Sequence, residues 1–135
     1  MSMGRSNVLC LCGCGRKVAR PTMKFFSNQC QQDFEYQDYI SRWKGGLEAG
    51  SRGSIGGISR HIRRYLNEKY QDRCSICGWA ERHSITNSVP LEVDHVNGDW
   101  FDNREENLRV LCPNCHSLTP YFRNLNKGNG RPNRR

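Results

Sequence analysis

The sequence has no long apolar run, and this absence limits the classes of protein that it can encode. Hydrophobic residues make up 36% of its 135 residues. No stretch approaches the roughly 18 apolar residues that a membrane-spanning helix needs. The start, MSMGRSNVLCLCGCG, lacks the apolar segment of a secretory signal peptide. We therefore expect a cytoplasmic protein with no membrane partner.

The chain also has little material for a large hydrophobic core. A chain this small and polar needs crosslinks, either disulfides or metal ions. Its eight cysteines supply them, and their spacing separates the two possibilities. Two residues between cysteines let both thiolates reach one tetrahedral ion. The pairs Cys74/Cys77 and Cys112/Cys115 therefore predict a structural zinc site rather than a disulfide framework.

Four further cysteines lie near the start of the chain, in the run NVLCLCGCGRKVARPTMKFFSNQC. They are Cys10, Cys12, Cys14 and Cys30. Gly13 and Gly15 permit the tight turns of a zinc knuckle, so we predict a second zinc finger here. The crowded Cys-x-Cys-x-Cys spacing leaves a flexible, partly redox-active segment as the alternative. Residues 24–26 are expected to form a short strand.

Acidic side chains are absent from the last 15 residues, and the charge is unevenly distributed. The formal net charge is +8. Residues 41–73 carry eight basic and three acidic side chains, residues 74–120 carry three and seven, and residues 121–135 carry five and none. An acidic centre that attracts metal between basic arms suits a bound polyanion. Basic tails that merely aid solubility are the alternative.

Two helices are predicted before the central cysteines. Ser27 can cap a helix that continues to about Trp43. Six glycines in residues 45–57 exclude a regular element and mark a hinge, a backbone-close contact or a plain linker. Ser59 begins the second helix, SRHIRRYLNEKYQ, whose apolar residues fall mostly on one face. Its arginines face phosphates or simply form a solvated basic surface.

The segment between the two cysteine pairs reads as two strands and a helix. Residues 91–95 alternate in polarity and predict a strand. Asn97-Gly98 favours a turn. Residues 108–111 predict a second strand, and Pro113 is well placed to open a helix. Successive side chains on a strand point in opposite directions, so Asp94 and His95 need a bend or loop to serve one site.

The same segment carries the sequence LEVDHVNGDWFDNREENLRVLCPNCH, with Asp94-His95, Asn107 and His116 in order between the cysteine pairs. This pattern resembles the HNH, or ββα-metal, endonuclease family. Together with YISRWKGG, ISRHIRRYLNEKY and LTPYFRNLNKGNGR, it is similar to small free-standing HNH homing endonucleases of bacteriophages. The resemblance implies a small, zinc-stabilised α+β fold, with a ββα-metal nuclease core, an N-terminal zinc finger and connecting helices.

The resemblance also implies a role for each residue of the pattern. His95 would be the general base, and histidine has the unperturbed pKa that suits this task near neutrality. Asp94 and His116 would ligate one catalytic ion, Mg²⁺ or Mn²⁺, that grips the scissile phosphate and the 3′ leaving oxygen. Asn107 would fix the loop by hydrogen bonds. The implied products carry a 5′-phosphate and a 3′-hydroxyl.

These inferences divide the chain into four parts. Residues 1–30 form the finger, residues 31–73 form helices and a glycine-rich basic linker that contacts DNA, residues 74–120 form the nuclease core, and residues 121–135 form a basic tail. Arg123, Lys127 and Arg131 of the tail have no acidic neighbours that neutralise them and are candidate phosphate contacts. Arginines of the glycine-rich linker and of the second helix are further candidates. The candidates are Arg52, Arg60, Arg63, Arg64, Arg123, Lys127 and Arg131.

We therefore predict a metal-dependent DNA endonuclease of the homing type, phage-derived and acting in the cytoplasm of a bacterial host. Its substrate would be double-stranded DNA rather than a small molecule, bound by a monomer or a homodimer. Two zinc ions and one catalytic Mg²⁺ or Mn²⁺ are the expected cofactors. Alternatives are a non-catalytic zinc-finger protein that binds nucleic acid, and an HNH nuclease that serves restriction or phage DNA packaging.

Overall fold

The computed structural model describes residues 6–52 and 57–126. The chain divides into two compact units, Met1–Arg42 and Trp43–Arg135. The predicted phosphate contacts Lys127 and Arg131 lie outside the described residues, as do part of the glycine-rich linker and most of the basic tail. Within the described ranges, no helix has the length and apolarity needed to cross a membrane.

The structure confirms a small α+β protein. Its elements are helix α1 (Asn28–Lys44), helix α2 (Arg60–Lys69), strand β1 (Glu92–His95), strand β2 (Leu108–Leu111) and helix α3 (Pro113–Ser117), with short 3-10 helices at Glu105–Asn107 and Arg123–Asn126. Strands β1 and β2 form an antiparallel hairpin in which Asp94 lies opposite Arg109. Together with α3, this hairpin supplies the two strands and the helix predicted between the cysteine pairs.

The first unit is built around a small buried cluster. Cys10, Val18 and Cys30 form its centre. Ser27 caps α1 as predicted, because its Oγ accepts a 3.2 Å hydrogen bond from the backbone N–H of Cys30. The predicted strand at residues 24–26 is wrong. Although its two phenylalanines favour a strand, this stretch bends around the cysteines, and Phe25 packs against Phe34 of α1 with ring centroids 5.4 Å apart.

The second unit packs α2 against the hairpin. Ser59, which was predicted to begin α2, precedes it and caps it, since its Oγ accepts a 3.2 Å hydrogen bond from His61 N–H. Ile62 and Leu66 on the apolar face of α2 are fully buried, as is Leu111 of β2. This buried stripe fixes α2 against β2.

Gly50 marks the closest approach of the linker to this core. Its φ is +80°, and a Cβ added there would lie 2.7 Å from Cδ1 of Ile62 and 2.9 Å from Cβ of Asn103. We expect Gly50→Ala to lower the free energy of unfolding by the left-handed penalty of about 1–2 kcal/mol plus about 1–3 kcal/mol of overpacking. Urea unfolding of the zinc-loaded protein measures the loss.

Gly46→Ala is the matched control for this prediction. Gly46 has nearly the same φ, +79°, but an added Cβ would meet no atom within 4 Å. Gly46→Ala should therefore lower the free energy of unfolding only by the left-handed backbone penalty of about 1–2 kcal/mol. Equal losses for the two variants would contradict the close approach of Gly50 to Ile62 and Asn103.

Candidate active site

The cysteine pairs Cys74/Cys77 and Cys112/Cys115 come together at the base of the hairpin. Their four Sγ atoms all lie within 4.8 Å of one another. Cys74 and Cys112 are buried with Leu111 at the end of β2. Cys112 also caps α3, since its Sγ accepts a 3.3 Å hydrogen bond from the backbone N–H of Cys115. Four convergent thiols fit the closed tetrahedral shell of a structural zinc ion.

The electrostatics of this cluster favour a dication. Burial works against ionisation of Cys74, but backbone hydrogen bonds from Cys77 and Cys112 outweigh it and lower the pKa of Cys74 to about 6. A hydrogen bond with Cys112, with burial, raises the pKa of Cys115 to about 12. Four crowded thiolates repel one another, and a bound dication relieves that repulsion.

The N-terminal cysteines form a second such cluster. All four Sγ atoms, from Cys10, Cys12, Cys14 and Cys30, also lie within 4.8 Å of one another. Cys10 accepts a 3.2 Å hydrogen bond from the backbone N–H of Phe26, which orients its sulfur. Within residues 6–52 and 57–126, the two cysteine clusters are the groups that bring three or more ligand atoms this close. They indicate two structural zinc ions.

A different pair of potential ligands is formed by Asp94 of β1 and His116 of α3. Asp94 is 7% exposed in β1, and its Oδ1 lies 3.9 Å from Nε2 of His116. A carboxylate oxygen and an imidazole nitrogen are donor types that a divalent ion takes as ligands, so these two residues could hold one. Oδ2 of Asp94 accepts a 2.8 Å hydrogen bond from Nε of Arg109, its cross-strand partner. Arg109 thus holds the carboxylate with Oδ1 toward His116.

Glu92 orients the imidazole of His116. The Nδ1 atom of His116 is buried, and it lies against Oε2 of Glu92. Nε2 of the same ring lies toward Asp94, so the carboxylates of Glu92 and Asp94 flank the imidazole. A carboxylate behind a ligating histidine is the usual way in which proteins fix the tautomer at a metal site. The donor set therefore fits a divalent cation whose remaining ligands are water or phosphate oxygens.

His95, the last residue of β1, is held by the loop that follows. Its Nε2 lies 2.6 Å from Oδ1 of Asn103. Asn103 is 5% exposed, and its backbone oxygen accepts a 2.8 Å hydrogen bond from Nε1 of Trp43. The amide oxygen Oδ1 of Asn103 can only accept a hydrogen bond. Nε2 of His95 therefore carries the proton, and Nδ1 of His95 carries the lone pair. The loop therefore presets one nitrogen of His95 as a proton acceptor.

Asn107 ties the two ends of this loop together. It is buried, and its Oδ1 accepts a 3.0 Å hydrogen bond from the backbone N–H of Asn97. Its Nδ2 donates to Oδ1 of Asn97 at 3.0 Å and to the backbone oxygen of Asp102 at 2.8 Å. These bonds give Asn107 the loop-fixing geometry that the resemblance implied, while its contribution to catalysis stays a prediction.

The side chains of Asp94, His95 and His116 open into one cleft of about 340 Å³. Arg63 of α2 and Arg123 also line it. Asp94 and His95 both belong to β1, and the chain turns directly after His95, at Val96. Phe122 packs edge-on against the ring of His116 with centroids 5.2 Å apart, which shields the inner face of the site.

The predicted phosphate contacts separate into two groups. Arg63 and Arg123 reach the cleft, whereas Arg52, Arg60 and Arg64 are not part of its lining. Arg64 instead forms a 2.9 Å ion pair with Glu68 one turn further along α2. Two of the predicted arginines therefore line the cleft, and their contact with phosphate stays a prediction.

Three residues around the site were missed in the sequence. Glu92 precedes Asp94 by two residues, so strand alternation could have placed both on one face. Arg109 could be found only from the register of the hairpin, which the sequence does not fix. Asn103 lies within an irregular loop, and no periodic signal relates it to His95.

The described elements and clusters define the class: a small zinc-stabilised α+β protein whose hairpin and helix are consistent with the HNH fold. Over 96 residues, 68% of the chain, the sequence is 32% identical to the H-N-H endonuclease F-TflIV of Escherichia phage T5, covering 40% of that protein. Over 82 residues, 61% of the chain, it is 34% identical to the Zorya protein ZorE of Escherichia coli, covering 17% of it.

The first similarity confirms the resemblance to HNH endonucleases, and the chain is homologous to one of them. The chain spans less than half of the length of either relative. No family model matches the chain. No solved structure matches it either.

Proposed function

We propose that this protein is a metal-dependent HNH endonuclease that hydrolyses phosphodiester bonds of double-stranded DNA. One observation carries the proposal: Asp94, His95 and His116 line one cleft, with each of their side chains held by a neighbour. A homologue named an H-N-H endonuclease supports the same activity. The net charge of +8 suits a polyanionic substrate.

His95 acts as the general base in this proposal. Its Nε2 donates to Oδ1 of Asn103, so Nδ1 is free to accept a proton from the attacking water. The proton acceptor is thereby oriented before the substrate binds, which removes one source of disorder from the reaction.

Asp94 and His116 would hold the catalytic divalent cation, Mg²⁺ or Mn²⁺, through Oδ1 and Nε2. When bound, the cation supplies positive charge to the scissile phosphate and the leaving 3′ oxygen. Arg109 keeps Asp94 in position, and Arg63 and Arg123 provide positive charge where the phosphate enters. The products would be a 5′-phosphate and a 3′-hydroxyl.

Within this proposal, the enzyme is a homing-type endonuclease of phage origin that acts in a bacterial cytoplasm. A relative from a bacteriophage supports the origin. The four-part division at residues 30, 73 and 120 belongs to this proposal, with the finger and the basic segments as the grip on DNA. A monomer with one cleft would nick one strand, whereas a homodimer could cut both.

Incubation of the zinc-loaded protein with supercoiled plasmid tests the proposed function. We expect that added Mg²⁺ or Mn²⁺ converts the supercoiled plasmid to relaxed, nicked circles. No nicking should occur when a chelator removes the Mg²⁺ or Mn²⁺, provided that it is too weak to remove the structural zinc. A plasmid that is bound, as seen by a gel shift, but stays supercoiled in every divalent metal would favour the non-catalytic zinc-finger alternative.

Asn103→Ala tests the positioning of the base. Without the acceptor, both tautomers of His95 are populated, and the loss of one hydrogen bond of about 1 kcal/mol should lower kcat roughly fivefold. KM should change little, because Asn103 is buried behind His95. Nitrogen NMR shifts of the His95 ring should show mixed tautomers in the variant. Unchanged kcat with an unchanged tautomer would contradict this role.

A further inference from the structure

The loop from Val96 to Asn107, between β1 and β2, is braced along its whole length. In addition to the hydrogen bonds of Asn107, Nδ2 of Asn97 donates to Oδ2 of Asp102 at 3.0 Å. Arg104 forms two hydrogen bonds with the same carboxylate, at 2.8 and 2.9 Å. These contacts, with Arg104 foremost, hold the pKa of Asp102 well below its usual range. A loop braced in this way presents its tip in one conformation.

That tip carries an apolar ring in a polar setting. Phe101 is 63% exposed, although its sequence neighbours on the loop include Asp99, Asp102 and Asn103. Its ring stacks on Trp100 with centroids 3.7 Å apart and planes tilted by 32°. Trp100 in turn lines the cleft that contains Asp94 and His116. The exposed ring is therefore one stacked neighbour away from the candidate catalytic cleft.

We propose that Phe101 is a wedge that stacks against a DNA base at the cleavage step and partly unstacks that step. This inference rests on the proposed function, because it takes DNA as the occupant of the cleft. A phosphate held between Asp94 and His116 brings its two flanking bases to the rim of the cleft, which Trp100 lines. Phe101 lines a second pocket and reaches this rim through its contact with Trp100. Arg63 and Arg123 fix the backbone beside it.

The chemistry of the ring suits this partner. Aromatic side chains stack on every base, and apolar wedges inserted into a base step unstack it and bend the duplex. A ring already fixed by Trp100 and by the braced loop loses little conformational entropy when it inserts. Opening the step would move the scissile phosphate away from its neighbours and toward the bottom of the cleft.

The test uses full-length, zinc-loaded His95→Ala, so that the duplex stays intact. The probes are short duplexes with 2-aminopurine placed at pyrimidine–purine steps, whose fluorescence rises when the base is unstacked. Such steps are the easiest to open. Binding is followed in parallel by fluorescence anisotropy. We expect at least a twofold rise in 2-aminopurine fluorescence in some of the duplexes that bind.

Phe101→Ala in the same background should abolish that rise and weaken binding about tenfold, as expected for the loss of one stacked base. Phe101→Tyr keeps a ring and should retain the rise. Ile85→Ala is the matched control, because Ile85 is also an exposed apolar side chain, at 87%, and should behave as the parent protein.

Several results would overturn the inference. The first is a rise in 2-aminopurine fluorescence that persists in Phe101→Ala. The second is the absence of such a rise in duplexes that do bind, and the third is a protein that binds no duplex at all. A change of oligomeric state in Phe101→Ala would assign the ring to a second copy of this chain instead. Nicking by wild type is scored separately on plasmid. Nicking without a fluorescence rise refutes only the wedge, and a rise without nicking refutes only the endonuclease.

Discussion

His95→Ala should reduce plasmid nicking by at least a hundredfold, because general-base catalysis contributes about 10²–10⁴ to the rate of such reactions. Its Nδ1 is the proton acceptor that Asn103 leaves available. Since the substitution removes no cation and no cysteine, DNA affinity and zinc content should stay unchanged. Single-turnover nicking in saturating Mg²⁺, together with a gel-shift titration, measures both quantities.

His83→Ala is the control for this substitution. His83 is exposed, and its Nδ1 accepts hydrogen bonds from the N–H groups of Ile85 and Thr86 in a loop outside the cleft. It should nick at nearly the wild-type rate. If His95→Ala and His83→Ala nick equally fast, then His95 is not the base and the assignment of the cleft fails with it.

Cys112→Ser should unfold the second unit rather than only slow the enzyme. Structural zinc contributes an apparent 10–16 kcal/mol in small zinc modules, about as much as the whole stability of a domain of this size. Cys112 is both a thiol of the cluster and the cap of α3, and it is buried beside Leu111. Its loss therefore removes the zinc link between Cys74/Cys77 and the start of α3, the helix that carries His116.

Elemental analysis and amide NMR check this prediction together. Wild type should contain two zinc ions per chain, and Cys112→Ser should contain one, with the hairpin signals collapsed into the unfolded range. Ile76→Ala is the matched control, because Ile76 lies between Cys74 and Cys77 but is 58% exposed. It should keep both ions. A folded hairpin in a Cys112→Ser protein with one zinc would contradict the role of the cluster.

The parts of the fold that were predicted correctly are those with local signals. Ser27 and Ser59 cap helices because their hydroxyl oxygens accept hydrogen bonds from backbone N–H groups two or three residues further along the chain. A serine directly before a helical pattern is therefore a signal that the sequence itself shows. Pro113 opens α3 for an equally local reason. The two cysteine clusters followed from ligand spacing. Only the 24–26 segment failed, where aromatic residues suggested a strand and the path around the cysteines prevented one.

The network around the catalytic residues could not be predicted in this way. The contact between Arg109 and Asp94 depends on a hairpin register that a shift of one residue would destroy. The contact between Asn103 and His95 depends on the path of an irregular loop. The motif therefore predicted the candidate site residues, whereas the contacts that orient them involve residues that only the folded chain brings near.

The central claim is that the cleft at Asp94, His95 and His116 hydrolyses DNA with a divalent cation and releases a 3′-hydroxyl. The most direct measurement is the nature of the ends at the nicks that zinc-loaded wild type makes in supercoiled plasmid. The account predicts that nicks form only when Mg²⁺ or Mn²⁺ is added and that a DNA ligase reseals them, because they carry a 5′-phosphate and a 3′-hydroxyl. Nicks that form without added divalent metal, or that no ligase can reseal, would contradict it.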